Sequence, residues 1–417
     1  MGRDVDIHLM RRPSLFTFVL AVLLGACDSG APLLTLSSRE VASPAGPDSG
    51  EPFLSASGDT VFLSWLERSE GGAHDLRFAR FFGGAWSEPT LIQRSDRFFV
   101  NWADFPSMTP GPDGALWAHW LERGAEGGYD YGIRVTRSGD GGATWSEAWT
   151  PHEDGTPTEH GFVTSVPVDG SLGFVWLDGR NFVPSSSGAP APEEMSLYFR
   201  AMGEAGPTGP ETLMDARVCD CCQTDAAVTA AGPVVVYRDR SPEEIRDIYV
   251  TRWEDGVWTE GRPVHADGWE TGACPVNGPA VAARDDNVAV AWFTAAEGVP
   301  HVKIAFSGDS ARRFGEPAIV DDGNPAGRVD LLMLEDGSAL VSWLERTGGE
   351  WAEVRMRHVA PDGHFGQSLS VSTSSSERAS GFPRMVRAPA GEVLVAWTDV
   401  EGEAPRIRVA LVDLVTP

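Results

Sequence analysis

Ala118-His119-Trp120-Leu121-Glu122-Arg123 is the stretch from which the fold can be predicted, because related stretches recur along most of the chain. Each copy is a short run of small and apolar residues that leads to an aromatic residue, and an acidic residue follows closely in most copies. The aromatic positions of the seven copies are Trp65, Trp120, Trp176, Tyr237, Trp292, Trp343 and Trp397. Successive copies are 55, 56, 61, 55, 51 and 54 residues apart.

Each repeat has the pattern of β-strands. Turn residues such as Pro112-Asp113-Gly114 and Glu335-Asp336-Gly337 precede the aromatic motif and indicate hairpins. The strand after the motif alternates arginine with apolar residues, as in Ile133-Arg134-Val135-Thr136-Arg137, which buries one face only. A period of this length made of strands is typical of a β-propeller with one four-stranded sheet per blade. We therefore predict an all-β, seven-bladed β-propeller, and a six-bladed ring with one degenerate repeat is the alternative.

The two ends of the repeat array are predicted to close the ring together. The last repeat supplies three strands and then ends at Pro417. Segment 32–38 resembles segment 367–373, and each lies at the same distance before the strands that follow it. Pairing of this N-terminal strand with the last blade would complete that blade and remove the exposed edges of the sheet.

The charge of the chain excludes one class of function. The 417 residues include 33 Lys plus Arg and 60 Asp plus Glu, with a formal net charge of −27. This charge repels nucleic acids and anionic lipid surfaces. Lys303 is the only lysine, so nearly every positive charge is an arginine, which can bind a carboxylate or sulfate with two hydrogen bonds.

The N-terminus has the pattern of a targeting segment. Arg11 and Arg12 precede an apolar run over 15–24, which is short for a membrane span, and Leu24-Gly25-Ala26-Cys27 follows. This resembles a bacterial lipoprotein signal, which implies a signal peptide over 1–26, lipidation of Cys27, a tether over 27–31 and a single propeller domain over 32–417. An ordinary secretory signal is the alternative, and Met10 is an alternative start. Asp28 resembles an inner-membrane retention signal.

One octapeptide carries a more specific resemblance. Ser138-Gly139-Asp140-Gly141-Gly142-Ala143-Thr144-Trp145 resembles the Asp-box of sialidases and other propellers with this repeat, also called the BNR repeat. Ser307-Gly308-Asp309 with Phe314 is a weaker second copy. The residue types predict a turn in which the Asp accepts backbone hydrogen bonds and the glycines adopt positive φ. The resemblance implies a structural role for Ser138, Asp140, Gly142, Thr144 and Trp145.

Loops that open on one face of a propeller predict where chemistry would occur. These are the loops that enter the innermost strands and the loops between the second and third strands. The acidic residues and the histidine there, which we predict to be catalytic, are Asp104, His160, Asp178, Asp239 and Glu244. The residues predicted to bind substrate are Arg180, Arg238, Arg240, Arg246, Asn277, Arg328 and Arg378. The apolar neighbours of Asp104 predict a raised pKa, as a general acid requires.

Two features oppose a direct transfer of sialidase chemistry. An acidic residue and an arginine also follow the tryptophan in several repeats, so ion pairs between blades are an alternative role for the arginines. The Phe-Arg-Ile-Pro motif of sialidases is absent from the first repeat, which has Ser49-Gly50-Glu51-Pro52-Phe53 instead, and Gly381-Phe382-Pro383-Arg384 only mimics it. No sialidase catalytic residue can therefore be assigned to a position of this chain.

The cysteines of the propeller fall in two neighbouring entry loops. They are Cys219, Cys221, Cys222 and Cys274. For an exported protein, this pattern favours disulfides, with three possible pairings, and a copper or zinc site is the alternative. The loop that contains His152, Asp154, Glu159 and His160 is a second possible metal site, for which a hydrogen-bonded loop is the simpler interpretation. We predict no cofactor.

Two functions of different classes fit these observations. The first is an exported sialidase-like exo-glycosidase that acts on a glycan with sialic or uronic acid. The second is a non-catalytic propeller of the cell envelope that binds a glycan or protein, or serves as a scaffold. Under both, we expect a monomer, anchored to the membrane by lipid on the periplasmic or extracellular side. The Pro- and Ser-rich insertion over 181–192 would lie above the channel mouth.

Overall fold

The computed structural model describes residues 1–2, 33–183 and 191–416. The predicted signal segment beyond residue 2, Cys27 with its tether, and residues 184–190 of the insertion lie outside these ranges. The described residues from 33 onward belong to one compact unit. None of the described helices has the length and apolar character needed to span a membrane.

The N-terminal strand and the first three blades are built from thirteen strands. Strand β1 is Thr35–Val41. Blade 1 consists of β2 (Ser49–Ser57), β3 (Thr60–Arg68), β4 (His74–Phe82), β5 (Ala85–Trp86) and β6 (Thr90–Ser95). Blade 2 consists of β7 (Ser107–Pro110), β8 (Leu116–Arg123) and β9 (Tyr131–Ser138). Blade 3 consists of β10 (His160–Val168), β11 (Ser171–Asp178), β12 (Met195–Gly203) and β13 (Gly206–Val218).

The remaining four blades continue in chain order. Blade 4 consists of β14 (Asp225–Thr229), β15 (Gly232–Arg238), β16 (Ile248–Glu254), β17 (Val257–Trp258) and β18 (Arg262–Pro263). Blade 5 consists of β19 (Ala280–Arg284), β20 (Asn287–Thr294), β21 (His301–Ser307) and β22 (Ala318–Ile319). Blade 6 consists of β23 (Pro325–Met333), β24 (Ala339–Gly348), β25 (Trp351–Val359) and β26 (Leu369–Ser375). Blade 7 consists of β27 (Arg384–Arg387), β28 (Val393–Asp399) and β29 (Arg406–Val415). Short 3-10 turns occupy Glu70–Gly72, Arg180–Phe182, Ala296–Gly298 and Arg378–Ser380.

These sheets form the predicted seven-bladed β-propeller, and the six-bladed alternative is wrong. Seven antiparallel sheets follow one another along the chain. The outermost strand is the least regular part: it is split into two pieces in blades 1 and 4, and in blade 2 it is reduced to a bridge between Val135 and Trp149.

The predicted closure by the N-terminal strand is confirmed. Strand β1 pairs with β29 in antiparallel register, from Thr35 opposite Val415 to Val41 opposite Val409. The sheet of blade 7 therefore has the order β1, β29, β28, β27. Both ends of the array thus belong to one blade, as edge protection requires.

The repeated aromatic residue lies in the second strand of every blade. All seven rings are buried, with exposures between 0% and 4%. In three blades the acidic residue two positions later accepts the indole N–H: Glu67 from Trp65 at 3.1 Å, Asp178 from Trp176 at 2.7 Å and Glu345 from Trp343 at 2.6 Å. This contact explains the Trp-x-acid pattern in these three blades, because a buried indole N–H favours an acceptor, whereas the N–H of Trp120 in blade 2 has no partner among the described residues although Glu122 follows. These acidic side chains therefore accept a hydrogen bond from the tryptophan of their own strand, and they do not pair with an arginine of the next blade in the part of the chain that the structure describes.

The octapeptide after β9 forms the predicted turn. Asp140 accepts from the backbone N–H of Thr144 at 2.9 Å and from its hydroxyl at 2.6 Å, and Ser138 accepts from Gly142 N–H at 2.7 Å. These bonds lower the pKa of Asp140 to about 2. The Ser307–Asp309 segment repeats the same bonds to Ala311 and Arg313. Local side chains thus satisfy both turns.

Gly142→Ala is expected to destabilise the fold more than Gly141→Ala. Both glycines have positive φ, 86° and 73°. A Cβ at Gly142 would lie 2.5 Å from Phe78 Cζ, whereas at Gly141 it would lie 3.5 Å from the flexible end of Arg80. We expect losses of about 3 kcal/mol and about 1 kcal/mol respectively in the free energy of unfolding. Denaturant unfolding of both variants measures this, and equal losses would contradict the packing described here.

Candidate functional site

The innermost strands of three blades begin with the same backbone irregularity. The register of β2, β10 and β23 shifts at a glycine, and the residue after that glycine has a positive φ of 51° to 56°. The pairs are Gly50-Glu51, Gly161-Phe162 and Gly327-Arg328. A bulge of this kind redirects side chains, and such strained positions are typical of ligand sites.

Side chains in or just before the innermost strands also join neighbouring blades. Three aspartates on alternate blades each accept the backbone N–H of a residue in the following blade. The pairs are Asp104 with Phe162 at 2.7 Å, Asp225 with Val281 at 2.8 Å, and Asp330 with Met385 at 2.6 Å. This repetition gives the three aspartates a structural role around the central channel.

A cavity of about 590 Å³ opens where the predicted loops meet. Its walls come from the loops that enter blades 2 to 5 and blade 7 and from the loops after β8 and β11, so these loops do share one face. Five aromatic residues contribute to the lining: Trp102, Tyr129, Tyr131, Phe162 and Phe182. Tyr129 is 71% exposed, whereas Tyr131 is 2% exposed. The cavity therefore combines an exposed aromatic edge with a buried floor.

Carboxyl groups supply most of the charge of this cavity. Glu126, Asp130, Glu159 and Asp220 line it, and Arg378 is the one lining arginine among the described residues. Arg240 donates to Asp220 at 3.1 Å. Burial raises the pKa of Asp220.

Glu159 is the most unusual of these carboxyls. It precedes His160 at the start of β10, and its carbonyl accepts from Gly179 N–H at 2.8 Å, which fixes the backbone. Burial, together with the charges of Asp104 and Asp220, raises the pKa of Glu159 to about 8, and the hydroxyl of Tyr131 only partly opposes this. A carboxyl that keeps its proton at neutral pH is suited to proton donation. Glu159 lies in one of the predicted entry loops, but it was not among the residues predicted to be catalytic.

Asp104 lies beneath the cavity and not on its wall. It is 1% exposed, and its second oxygen accepts from the hydroxyl of Tyr131 at 2.9 Å. Burial raises the pKa of Asp104 to about 7, in the direction expected from its apolar neighbours. A residue at position 161 larger than glycine would collide with its carboxylate. Asp104 thus contacts Tyr131, which in turn lies beside Glu159.

His160, Asp178 and Arg180 form an internal cluster next to this loop. His160 contacts the carbonyl of Thr158 at 3.1 Å through Nδ1 and Asp154 at 2.9 Å through Nε2. Burial opposes the charged imidazolium, but Asp154 and Asp178 outweigh burial and raise the pKa of His160. Arg180 donates to Asp178 through Nε at 2.7 Å and through Nη2 at 2.6 Å. These three predicted residues therefore satisfy one another.

The same cluster was the second candidate for a metal site. His152, Asp154 and His160 have ligand atoms within 4.8 Å of one another. Both nitrogens of His160 face acceptors, which favours an imidazolium that cannot bind a metal. His152 Nε2 accepts from Ile133 N–H at 3.2 Å. The geometry therefore fits a hydrogen-bonded loop better than a metal site.

Arg238, Asn277 and Arg328 hold loops together. Arg238 is 2% exposed and donates to the carbonyls of Asn277, Arg246 and Phe293. Asn277 accepts from Arg328 N–H at 2.7 Å. The guanidinium of Arg328 donates to Ser380 and to the carbonyls of Gly381, Ser376 and Glu377, and burial lowers its pKa to about 10. Backbone acceptors thus occupy both arginines.

Asp239, Arg240, Glu244 and Arg246 lie together in the loop between β15 and β16. Glu244 binds Arg240 at 2.9 Å and Arg246 at 2.9 Å, and these contacts lower its pKa to about 2. Burial raises the pKa of Asp239 to about 7.

Only Arg378, of the seven predicted binding residues, lines the cavity. It has no ion-pair partner within residues 33–183 and 191–416.

Of the three possible pairings, each with two disulfides, one bond of one pairing is present. Cys221 is bonded to Cys274, which joins the entry loops of blades 4 and 5. Cys219 and Cys222 are free and buried. Their sulfurs are 2.9 Å apart.

The buried carboxyls predict that stability falls as pH rises. The folded pKa values of Asp104, Asp225 and Glu159 are about 7, 7 and 8, against ordinary values of 3.8 for aspartate and 4.5 for glutamate. Since the folded state holds these protons more tightly, their contribution is complete below about pH 4 and is lost as pH rises to 7–8. Each group contributes up to about 1.4 kcal/mol per pH unit in this window.

Thermal unfolding at pH 5 and pH 8 tests this prediction. We expect Tm to be at least about 5 °C lower at pH 8. The comparison is repeated in about 0.5 M salt, because salt screens the repulsion between surface charges but does not prevent the titration of buried groups. An equal or higher Tm at pH 8 in salt would contradict the raised pKa values. Asp225→Asn, which lies away from the cavity wall, should reduce the pH dependence.

Comparisons with known proteins identify the fold only. No family model and no curated protein matches the chain. An ulvan lyase of polysaccharide lyase family 25 aligns with a TM-score of 0.57 and 12% identity, over 89% of this chain and 95% of that chain. The BP39L lectin from Burkholderia pseudomallei aligns with a TM-score of 0.56 and 14% identity, over 88% of this chain and 97% of that chain. A protein of unknown function from Dyadobacter fermentans aligns with a TM-score of 0.53 and 14% identity, over 91% of this chain and 99% of that chain.

Proposed function

We propose that this protein is a glycoside hydrolase whose substrate lies in the cavity around Glu159. The observation that supports this most is a cavity-lining carboxyl with a pKa of about 8 among aromatic side chains. The ulvan lyase and the lectin with the same fold act on or bind saccharides, which is consistent with a glycan ligand. The fold alone does not specify the reaction, so the proposal depends on the cavity.

Each wall of the cavity has a defined task in this proposal. Tyr129 and Phe182 present exposed ring surface at which the apolar face of a sugar can pack. Glu159 donates its proton to the glycosidic oxygen as the leaving group departs. Asp220, which lies on the same cavity, serves as base or nucleophile. Tyr131 and Asp104 position Glu159 from below.

We further propose that the substrate carries a single carboxylate near the cleaved bond. Arg378 lines the cavity without an ion-pair partner among the described residues, so one cation is available for one acidic sugar. The other predicted arginines donate to carbonyls or carboxylates of the protein itself. The sialic- or uronic-acid specificity is therefore assigned to Arg378, and not to a clamp of several arginines.

Hydrolysis of a panel of glycosides tests the function. The purified chain from residue 33 onward is incubated with fluorogenic sialosides, uronides and neutral glycosides. We expect turnover of an acidic glycoside. In Arg378→Gln we expect a raised KM and an unchanged kcat, because Arg378 contributes to substrate binding. No turnover by folded protein would contradict the hydrolase proposal. Saccharide binding without turnover would favour the non-catalytic alternative.

We also propose that the protein is a sialidase-like Asp-box propeller exported as a lipoprotein. The support is the lipoprotein-like sequence that ends at Cys27 and the turn hydrogen bonds of Asp140. The expected partners are a glycan and, through the lipid anchor, the membrane, with a monomeric chain and no cofactor. Cys27→Ala should move the protein from the membrane to the soluble fraction. Retention of this variant on membranes would contradict the anchor.

A further inference from the structure

The four cysteines of the propeller form two pairs with different access to the cavity. Cys221 and Cys274 line the cavity and are bonded to each other. Cys219 and Cys222 lie behind them, with exposures of 1% and 2%. The inner pair has the spacing Cys-x-x-Cys, and its sulfurs are 2.9 Å apart. One pair is thus open to solutes and the other is not.

The inner and outer pairs are close enough to react with each other. The sulfurs of Cys219, Cys221 and Cys222 all lie within 4.8 Å of one another. They belong to one short loop, so small adjustments of that loop bring the sulfurs into contact. Because three of the four cysteines share this loop and Cys274 is bonded to one of them, an electron pair can pass between the two pairs by thiol–disulfide exchange.

The surroundings of Cys219 favour its thiolate. Arg246 Nη1 lies 3.5 Å from Cys219 Sγ. Burial disfavours the thiolate, but the hydrogen bond with Cys222 and the charge of Arg238 outweigh it and lower the pKa of Cys219 to about 6. Burial raises the pKa of Cys222. The inner pair therefore has one nucleophile and one thiol that keeps its proton, an asymmetry found in reactive dithiols.

The charges around this pair also oppose a simple cation site. Arg246 is held by Glu244 at 2.9 Å, and Arg238 is held by three carbonyls, so both guanidinium groups have fixed positions. Two fixed positive charges stabilise an anionic sulfur and repel a metal cation. The arrangement thus suits thiolate chemistry better than a bound metal ion.

We infer that these cysteines form a dithiol–disulfide relay between the protein interior and the cavity. In the first step, the Cys219 thiolate attacks Sγ of Cys221, a Cys219–Cys221 bond forms, and Cys274 leaves as a thiolate that takes up a proton. In the second step, Cys222 loses its proton and attacks Cys219. The Cys219–Cys222 bond then forms, and Cys221 is released as a thiol.

The exchange conserves electrons within the chain. One disulfide breaks and one forms, so no external oxidant is required for the transfer itself. Its product carries two thiols on the cavity wall, at Cys221 and Cys274. An external disulfide, of a small molecule or a protein, can then oxidise these two thiols back to their bond and leave as two thiols. Each chain is thus oxidised once, to a state with both the Cys219–Cys222 and the Cys221–Cys274 bond, and the class of oxidant is a disulfide that reaches the cavity.

Mapping of the disulfides in the two-thiol state tests the relay. The full chain is purified without reductant and brought with dithiothreitol at pH 7 to two thiols among its four propeller cysteines, with Cys27 counted separately. It is then quenched with acid and labelled with N-ethylmaleimide. After complete reduction, the remaining cysteines receive a second label, and mass spectrometry assigns both. We expect the first label on both pairs: on Cys219 and Cys222 in one population, and on Cys221 and Cys274 in the other.

Variants separate the relay from independent reduction of two bonds. In Cys219→Ser, exchange is blocked, so the two-electron oxidised form should contain only the Cys221–Cys274 bond. Arg246→Gln should slow the appearance of the second pairing by roughly tenfold at pH 7, because less of Cys219 is thiolate. Arg262→Gln is the matched control, since Arg262 is exposed and lies in β18 before the Cys274 loop. Its exchange rate should equal that of the unmodified chain.

Three results would overturn the inference. The first is a single pairing that persists through hours at pH 7. The second is an exchange rate that Arg246→Gln leaves unchanged while Tm is also unchanged. The third is four free thiols together with stoichiometric copper or zinc, measured by elemental analysis of the same preparation. The labelling of the unmodified chain is decisive even if a variant fails to fold.

Discussion

Replacing Glu159 with glutamine is expected to lower kcat/KM for the acidic glycoside by at least about 100-fold, the usual contribution of a general acid. Glutamine has nearly the same shape but no proton to donate to the glycosidic oxygen. Since the carboxyl is held in its neutral form with a pKa of about 8, the amide should not create an uncompensated charge. Substrate binding should therefore stay close to that of the unmodified protein, whereas Tm at pH 7 should rise, because the amide needs no proton uptake on folding.

Glu335→Gln is the matched control for this variant. Glu335 is an exposed residue of the turn between β23 and β24, away from the cavity, so its loss should leave kcat/KM unchanged. A Glu159→Gln protein with kcat/KM within a few-fold of the original would contradict the assignment of the proton donor.

Asp104→Asn distinguishes the two candidate acids. Asparagine can still accept from Phe162 N–H, but its amide hydrogens would face the Tyr131 hydroxyl. At pH 4, where Asp104 takes up little proton on folding, we expect a loss of roughly 1–3 kcal/mol in the free energy of unfolding. At pH 7 we expect a smaller effect on kcat/KM than that of Glu159→Gln. Complete loss of turnover with unchanged Tm would instead assign the general acid to Asp104.

Removal of residues 33–41 is expected to destabilise the propeller by roughly 5 kcal/mol or more. This deletion removes the seven paired positions of β1 with β29 and the apolar contacts of Leu34 and Leu36 with the core of blades 6 and 7. The hydrogen bonds contribute about 1 kcal/mol each, and the apolar burial adds to them. The deletion also exposes the edge of β29, so we expect aggregation through that edge.

The chain that begins at residue 33 is the control for this deletion, and denaturant unfolding with size-exclusion chromatography compares the two. Arg39→Gln offers a second control, because it removes only the exposed ion pair with Glu392 and should cost less than about 1 kcal/mol. A monomeric deletion variant with nearly unchanged stability would contradict closure of the ring by β1.

The sequence predicts this fold well because its repeat is a packing unit. The repeated aromatic residue, such as Trp65, Trp176 or Trp343, is buried at the same place in every blade, so the number of copies gives the number of blades. The role of the acidic residue after the tryptophan was less clear, because an acceptor for an indole N–H and a partner for an arginine require the same residue type. The irregular outer strand of blade 2 was not predicted, because a bridge at Trp149 leaves no alternating pattern.

The site is harder to predict because its properties arise between blades. The raised pKa of Glu159 depends on its burial and on the charges of Asp104 and Asp220, which are distant in sequence. A better signal was available in position, since Glu159 directly precedes the selected His160 in an entry loop. The arginines show the opposite difficulty: whether a guanidinium meets a ligand or a carbonyl, as Arg238 does, depends on backbone geometry that composition does not encode.

The pH dependence of kcat/KM for the first glycoside turned over tests the central claim most directly. A general acid must be protonated in the free enzyme, so the basic limb of the profile reports its pKa. We predict that kcat/KM stays high to neutral pH and falls above about pH 8, the pKa of Glu159. A decline that begins near pH 4.5, the ordinary value for a glutamate, would contradict the claim that the cavity holds Glu159 in its protonated form for catalysis.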